Sequence, residues 1–360
     1  VTWVTQTTVS ESILECVRFY YRLVMDPAYL ENLSYYGPGT QWPLSQAHHD
    51  AIGTYLVIVG TLGSSLNCLV IAMFLKFHSL MSPTHLLLLN LSIADLGMSI
   101  MGGFPFSAPS SFAGTWIYGD GGCQYYAFMG FLFGTANIVN LFAIAVDRYL
   151  VTDKLSKGEK TSYKRYGWML VGIWVYSIFW SIMPLVGWAS YNYEPSFTTC
   201  TIDWRSNNAS YKSYLIVYAL LTFFIPIIIM SVCYYKAAVC IKRHTQNKAY
   251  LERWADEKNV TMMCAVLMIA FLVFWSPYAI LTLWTVFWEP HTVPYAIAIM
   301  PPLIAKSSPM LDPIIFYLTN ARLRQGMIAT VTCADLPVEV KKDTKEEMTA
   351  MTDKKKEDKN

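Results

Sequence analysis

The chain has 360 residues, of which 54% are hydrophobic, 15% aromatic and only 14% charged, against about a quarter charged in a soluble protein of ordinary composition. The charges crowd into short stretches and the C-terminal end, leaving long apolar blocks between them. The formal net charge of +2 therefore points to no particular partner, and the pattern excludes both an ordinary soluble domain and a nucleic-acid-binding surface.

Residues 1–50 read as an extracellular tail. They contain no basic start leading into a long apolar core, so no cleavable signal peptide is expected there and the first helix would act as the targeting signal. Asn32-Leu33-Ser34 is a glycosylation sequon within it. A helix crossing about 30 Å of hydrocarbon needs about 20 mostly apolar residues. Seven segments meet that demand: 51–75, 86–108, 122–146, 166–188, 213–236, 259–285 and 294–318. The predicted fold is an all-α membrane protein, a seven-transmembrane helix bundle over 51–318. Asn137 and Asn140 in the third segment, and Lys306 with several prolines in the seventh, would be costly against lipid, so these two helices should face their neighbours.

The basic residues between segments set the orientation. Lys76, six Lys or Arg from Arg148 to Arg165 and six from Lys236 to Lys258 stand on one side, against Arg205 and Lys212 on the other. By the positive-inside rule the first set is cytoplasmic, which puts the N-terminus outside and the C-terminus inside, in a plasma or photoreceptor membrane. A second sequon, Asn208-Ala209-Ser210, falls on the same predicted outer side as Asn32. So do Cys123 and Cys200, where an oxidising exterior favours a disulfide over two free thiols. Cys68, Cys233, Cys240 and Cys264 sit in or beside apolar blocks as small hydrophobes. Residues 319–333 form the next unit. Arg322 and Arg324 alternate with Leu323, Met327 and Ile328, the pattern of a short amphipathic helix on the inner membrane surface. Cys333 beyond it is a palmitoyl acceptor or a plain thiol. Residues 334–360 have too few large apolar side chains to fold and read as a disordered cytoplasmic tail, with Thr344, Thr349 and Thr352 as candidate phosphorylation sites.

Lys306 lies in Pro301-Pro302-Leu303-Ile304-Ala305-Lys306-Ser307-Ser308, near the middle of the seventh segment. An ammonium at the bilayer centre costs about 3 kcal/mol or more. Desolvation disfavours the charged form of an amine, and the neutral amine is a nucleophile. A lysine in that position either condenses with an aldehyde as a Schiff base or pairs with a carboxylate or ion inside the bundle. The lysine alone does not choose between them.

Its surroundings do. Leu89-Asn90-Leu91-Ser92-Ile93-Ala94-Asp95 lies in the second segment and Asp147-Arg148-Tyr149 closes the third. Phe271, Trp275 and Pro277-Tyr278 lie in the sixth, Ala305-Lys306-Ser307-Ser308 and Asp312-Pro313 in the seventh. With Asn67, Trp174, Pro226 and the Cys123/Cys200 pair in register, the chain over residues 50–330 resembles the opsins, within the rhodopsin-like G-protein-coupled receptors. The resemblance implies that Lys306 holds retinal, 11-cis or all-trans, through a Schiff base whose charge needs a carboxylate. Vertebrate visual opsins carry a glutamate three residues after the third-helix cysteine, where this chain has Tyr126. The family's other position, six residues before the loop cysteine, is Glu194, here taken as the counterion, with Tyr126 adding a hydrogen bond. By the same resemblance Phe131, Gly134, Thr135, Phe223, Phe271, Trp275 and Tyr278 line the pocket. Trp275 would lie against the ring end of retinal. Arg148 would pair with Asp147 and reach Glu257, tying the third and sixth helices in the dark. The implied partner is a heterotrimeric G protein, with arrestin and a receptor kinase as further candidates.

Two departures stand out. The family's Asn-Pro-x-x-Tyr reads Asp312-Pro313-Ile314-Ile315-Phe316, and Tyr317 sits one residue later, about 100° round the helix. In the family that tyrosine's hydroxyl helps to hold the active state. Asp312 should also lie near Asp95, two carboxylates that would share a proton or bind a small cation such as sodium; no other metal is expected. The leading reading is a bistable light receptor acting on a G protein. The alternative, which Phe316 favours, is a peropsin-like photoisomerase turning all-trans-retinal to the 11-cis form with little signalling. A receptor for a diffusible amine or peptide leaves Lys306 without a purpose.

Overall fold

The computed structural model describes residues 44–156, 163–244, 251–289, 293 and 295–336. Asn32, Thr344, Thr349 and Thr352, most of the two expected tails, and Lys157, Lys160 and Lys248 lie outside the described residues.

The first span is one helix, Gln46–Lys76 (α1). The second is Pro83–Ile100 (α2), continued after a three-residue break by Phe104–Phe112 (α3). The third is Gly119–Ser156 (α4), which runs past its expected end at residue 146, and the fourth is Tyr163–Ile182 (α5). The fifth is Ala209–Ala219 (α6), one π-helical turn at Leu220–Phe224, and Ile225–His244 (α7). The sixth is Leu251–Phe287 (α8). These six runs are long and apolar enough to cross a membrane. The seventh departs from the continuous helix that was expected. Tyr295–Lys306 (α9) has 12 residues and Leu311–Thr319 (α10) has 9, with a 3-10 turn at Ser308–Met310 between them. Pro301, Pro302 and Pro309 remove backbone donors from that run, and α9 ends on Lys306 itself. The chain is a multi-pass membrane protein with a seven-helix bundle fold, closed by the short helix Ala321–Val331 (α11).

Local chemistry sets several boundaries. The Ser82 hydroxyl accepts the His85 N–H at 3.3 Å, with Pro83 in the first helical position of α2. Asn208 caps α6 by accepting the Tyr211 N–H at 2.8 Å. Asn320 caps α11 through the Leu323 N–H at 3.1 Å, which fixes the turn between α10 and α11. Lys76 donates to the carbonyls of Ala329 and Ala334, each at 3.3 Å, and so ties the end of α11 to the end of α1. In the break of the second span, a Cβ on Gly102 would stand 2.7 Å from the Gly130 nitrogen. Only glycine allows the second and third spans this backbone contact.

Polar side chains inside the bundle satisfy one another, as they must away from water. Asn67 donates to the Gly63 carbonyl (2.9 Å) and the Pro309 carbonyl (2.7 Å), joining the first span to the turn below Lys306. Asn140 donates to Leu87 O (2.8 Å), Trp174 Nε1 donates to Asn90 Oδ1 (3.0 Å), and Asn137 donates to Asp95 Oδ1 (2.9 Å). Asn137 and Asn140 thus face the second span.

At one end of the bundle the chain between α5 and α6 folds into a two-stranded antiparallel hairpin, Tyr191–Tyr193 (β1) and Cys200–Ile202 (β2), with Tyr193 opposite Cys200. A disulfide joins Cys200 to Cys123, near the start of α4. The hairpin is therefore held across the mouth of the bundle.

Candidate functional site

Beneath the hairpin lies a cavity of about 150 Å³, walled by the second, third, fifth, sixth and seventh spans and by β2. Its lining is chiefly apolar and aromatic, with Lys306 as its one amine and Glu194 as its one carboxylate. Of the residues expected there, Tyr126, Phe131, Gly134, Phe223, Phe271, Trp275 and Tyr278 line it. Thr135 does not. One residue beyond Gly134, it is turned about 100° round the helix, is fully buried, and shares a 2.9 Å hydrogen bond with the Tyr218 hydroxyl.

The Lys306 nitrogen stands 5.4 Å from the centre of the Tyr126 ring. No described residue hydrogen-bonds the buried Tyr126 hydroxyl. Glu194 follows β1 in a tight turn, where its N–H meets Thr199 O at 2.9 Å and its carbonyl accepts the Phe197 N–H at 2.9 Å. Its carboxylate takes the Thr199 hydroxyl. Glu194 and Lys306 share the cavity without an ion pair inside 4.0 Å. Tyr278 meets the Thr201 hydroxyl at 2.9 Å, which binds β2 to the sixth span. Trp275 stacks on Phe271 with ring centres 5.4 Å apart, and its indole N–H donates to Ser308 Oγ at 3.1 Å. A Cβ on Gly134 would come within 3.1 Å of the Trp275 ring, so glycine leaves the indole its place.

A second cluster sits at the opposite end. Arg148 pairs with Asp147 at 2.7 Å and Glu257 at 3.0 Å, joining the third and sixth spans. Thr84 donates to Asp147 at 2.8 Å, Tyr166 also bonds Asp147, and Arg165 lies 3.6 Å from it. Asp147 and Arg148 are buried, which makes them unlike solvated interfacial charges, whereas the Glu257 side chain is 27% exposed. Tyr149 lies under Lys236 of the fifth span, with the ammonium 5.3 Å from its ring centre. Midway along the bundle Asp95 is buried, and Asp312 is near enough to act on it electrostatically. No cluster of three or more His, Cys, Asp or Glu suited to a metal occurs among the described residues. Phe316 is wholly buried and Tyr317 is exposed.

Residues 66–316 match the family described as 7 transmembrane receptor (rhodopsin family). The chain is 38% identical over 292 residues to the human visual pigment-like receptor peropsin, covering 80% of this chain and 86% of that one. This chain belongs to the opsins. An opsin of Mizuhopecten yessoensis, named as a GQ-coupled rhodopsin, is 35% identical over 303 residues, covering 80% of this chain and 61% of that one. Among solved structures, squid rhodopsin superposes with a TM-score of 0.76 at 27% identity, covering 87% of this chain and 97% of that one.

Opsin membership implies a retinal chromophore, and the residues present suit one: an aromatic-walled cavity with a single amine and an unpartnered phenol beside it. Sequence reasoning passed over four residues of this opsin that the structure brings into play. Tyr218 and Thr201 line the cavity, and Thr84 and Tyr166 hold Asp147. Tyr218 left a faint signal, since Tyr211, Tyr214 and Tyr218 recur at helical spacing, and Tyr214 and Tyr218 stack at 5.7 Å.

Proposed function

We propose that the protein is a light-gated receptor that binds retinal covalently through Lys306 and, on photoisomerisation, opens its cytoplasmic end to a heterotrimeric G protein. The observation that carries this reading is Lys306, one amine in the wall of a chiefly apolar and aromatic cavity in the middle of the bundle. The bound retinal supplies light absorption and a change of shape. The protein does the rest. Glu194 and Tyr126 supply the carboxylate and phenol that meet the charged nitrogen, and the hairpin keeps bulk water from it. Trp275 stands where a change in cavity shape reaches the sixth span and, through Ser308, the seventh. At the cytoplasmic end, release of Arg148 from Glu257 frees the sixth span to move, a two-state change. With Tyr126 in place of a third-span glutamate and Glu194 in the loop, the photoproduct keeps its retinal, which makes the pigment bistable. The orientation that goes with this puts the hairpin and the exposed Asn208 outside, as a glycosylation site, and α11 with Cys333 inside, as a lipidation site.

A photoisomerase reading has an observation of its own: Phe316 places no hydroxyl where the family holds its active state. It is also in keeping with the similarity to peropsin.

Absorption spectra of the purified protein, reconstituted with 11-cis- or all-trans-retinal before and after light, separate the two. A pigment from 11-cis-retinal with a stable, retinal-bound photoproduct is expected, and Lys306→Ala should form none. A pigment from all-trans-retinal alone, turned by light to the 11-cis form, would favour the isomerase. A pigment that persists in Lys306→Ala would end both readings.

A further inference from the structure

Glu194 stands in the cavity wall, and the turn that carries it is also gripped from the loop. Arg205, just past β2, donates from Nη2 to the Tyr193 carbonyl at 3.0 Å. Its guanidinium lies over the Phe197 ring, 5.7 Å from the ring centre. Tyr193 and Phe197 flank Glu194 in the chain, so both contacts fall on the Glu194 turn.

The Phe197 ring is held there under strain. Its residue has a φ of +55°, a left-handed conformation that bulky side chains rarely adopt. A column of rings goes with it. Phe197 stacks on Tyr193 at 5.7 Å and 9°, and the Tyr193 hydroxyl donates at 2.5 Å to Asp120 in the first turn of the third span. A strained residue kept in place by its surroundings points to a constraint beyond packing. Arg205 caps this column. Burial lowers its pKa, and the carboxylates of Asp203 and then Glu194 raise it. Asp203 is itself held by the Asn192 amide at 3.2 Å. The guanidinium therefore acts on the Glu194 charge from the loop, while Lys306 shares the cavity with that charge.

We propose that Arg205 tunes the colour of the pigment: its fixed positive charge offsets part of the field that Glu194 sets up at the Lys306 nitrogen. The proposal rests on retinal bound at Lys306. A conjugated chain charged at its nitrogen end moves that charge toward its far end when it absorbs light. A carboxylate near the nitrogen steadies the dark state more than the excited state, and so shortens the wavelength. A cation behind that carboxylate opposes it and lengthens the wavelength. Glu194 and Arg205 are both part-buried, so water and salt screen them only in part. No bond forms or breaks.

Absorption maxima of the reconstituted pigment test this. Arg205→Gln removes the charge and should move the maximum about 10 nm to shorter wavelength. Arg205→Lys keeps the charge but loses the planar stack, and should stay within about 3 nm of wild type. An unchanged maximum in Arg205→Gln overturns the proposal, as do equal shifts in the two variants, which mark a packing effect. Should Arg205→Gln fail to fold, Asp203→Asn decides. It takes away one of the carboxylates that act on the guanidinium and leaves the column intact. A shift to longer wavelength supports the proposal; no shift, or one to shorter wavelength, overturns it. If the wild-type protein forms no pigment with either isomer, the retinal reading fails by itself. Arg205 is then judged in the chromophore-free protein, by the rate at which formaldehyde and cyanoborohydride methylate the Lys306 amine, read by peptide mass spectrometry. Without Arg205 the field of Glu194 keeps more of that amine protonated and unreactive. Arg205→Gln should then be methylated about three-fold more slowly than wild type, and Arg205→Lys at the wild-type rate. Equal rates in wild type and Arg205→Gln overturn the proposal.

Discussion

At the scale of single residues, side-chain chemistry explains what was legible and what was not. Lys306 announced itself because a charge in hydrocarbon is costly whatever surrounds it. Thr135 was misplaced because a difference of one residue turns a side chain away from a cavity, and no spacing rule fixes the rotation of a buried helix. Thr201 was missed because a hydroxyl on the hairpin that meets the Tyr278 hydroxyl leaves no pattern in the sequence. Phe316 gives a prediction. Phe316→Tyr should prolong G-protein nucleotide exchange after light. It should also cost the resting state about 1–3 kcal/mol if the new hydroxyl finds no partner in that buried position; exchange kinetics and thermal melting read the two effects. Tyr193 gives another. Its hydroxyl donates to Asp120 at 2.5 Å. That bond first, and burial second, raise its pKa from 10.0 to about 12. The protonated phenol is the bonded form, so its stabilisation is complete below pH 10 and fades as pH climbs through 12. The melting difference between wild type and Tyr193→Phe should therefore shrink across that interval.

At the scale of elements, the seven apolar runs were plain in the sequence because length and hydropathy decide them. Their interruptions were not. The break at Met101–Gly103 depends on contact with Gly130, and the turn after Lys306 depends on how several prolines share the strain. The sequence pointed to a bridge between Cys123 and Cys200 but not to the hairpin, whose register sets Tyr193 opposite Cys200. Closing a loop of 77 residues, the Cys123–Cys200 bridge would stabilise a free chain by roughly 4 kcal/mol, an upper limit here because the spans already restrain its ends. Cys123→Ser or Cys200→Ser should lower the melting temperature and cut the pigment yield more than stability alone explains, because β2 supplies part of the cavity wall.

At the scale of the whole molecule, the bundle is joined at its far end by Arg148 and Glu257. That pair is partly exposed, so it is worth about 1 kcal/mol. Glu257→Gln should raise nucleotide exchange in the dark about five-fold, measured with purified G protein. An unchanged dark rate in a folded variant would mean that the tie does not hold the receptor at rest.

The turn below Lys306 is clamped from both sides, by Asn67 on the Pro309 carbonyl and by Trp275 on the Ser308 hydroxyl. The clamp is unequal. Asn67 holds through an amide in a fully buried setting, while Trp275 holds through one indole hydrogen at 3.1 Å beside an open cavity. A load applied inside that cavity would part the weaker side first, as a fuse parts before the wire. The seventh span would stay moored to the first while the sixth is let go, so that a push from any direction leaves the bundle by the same door.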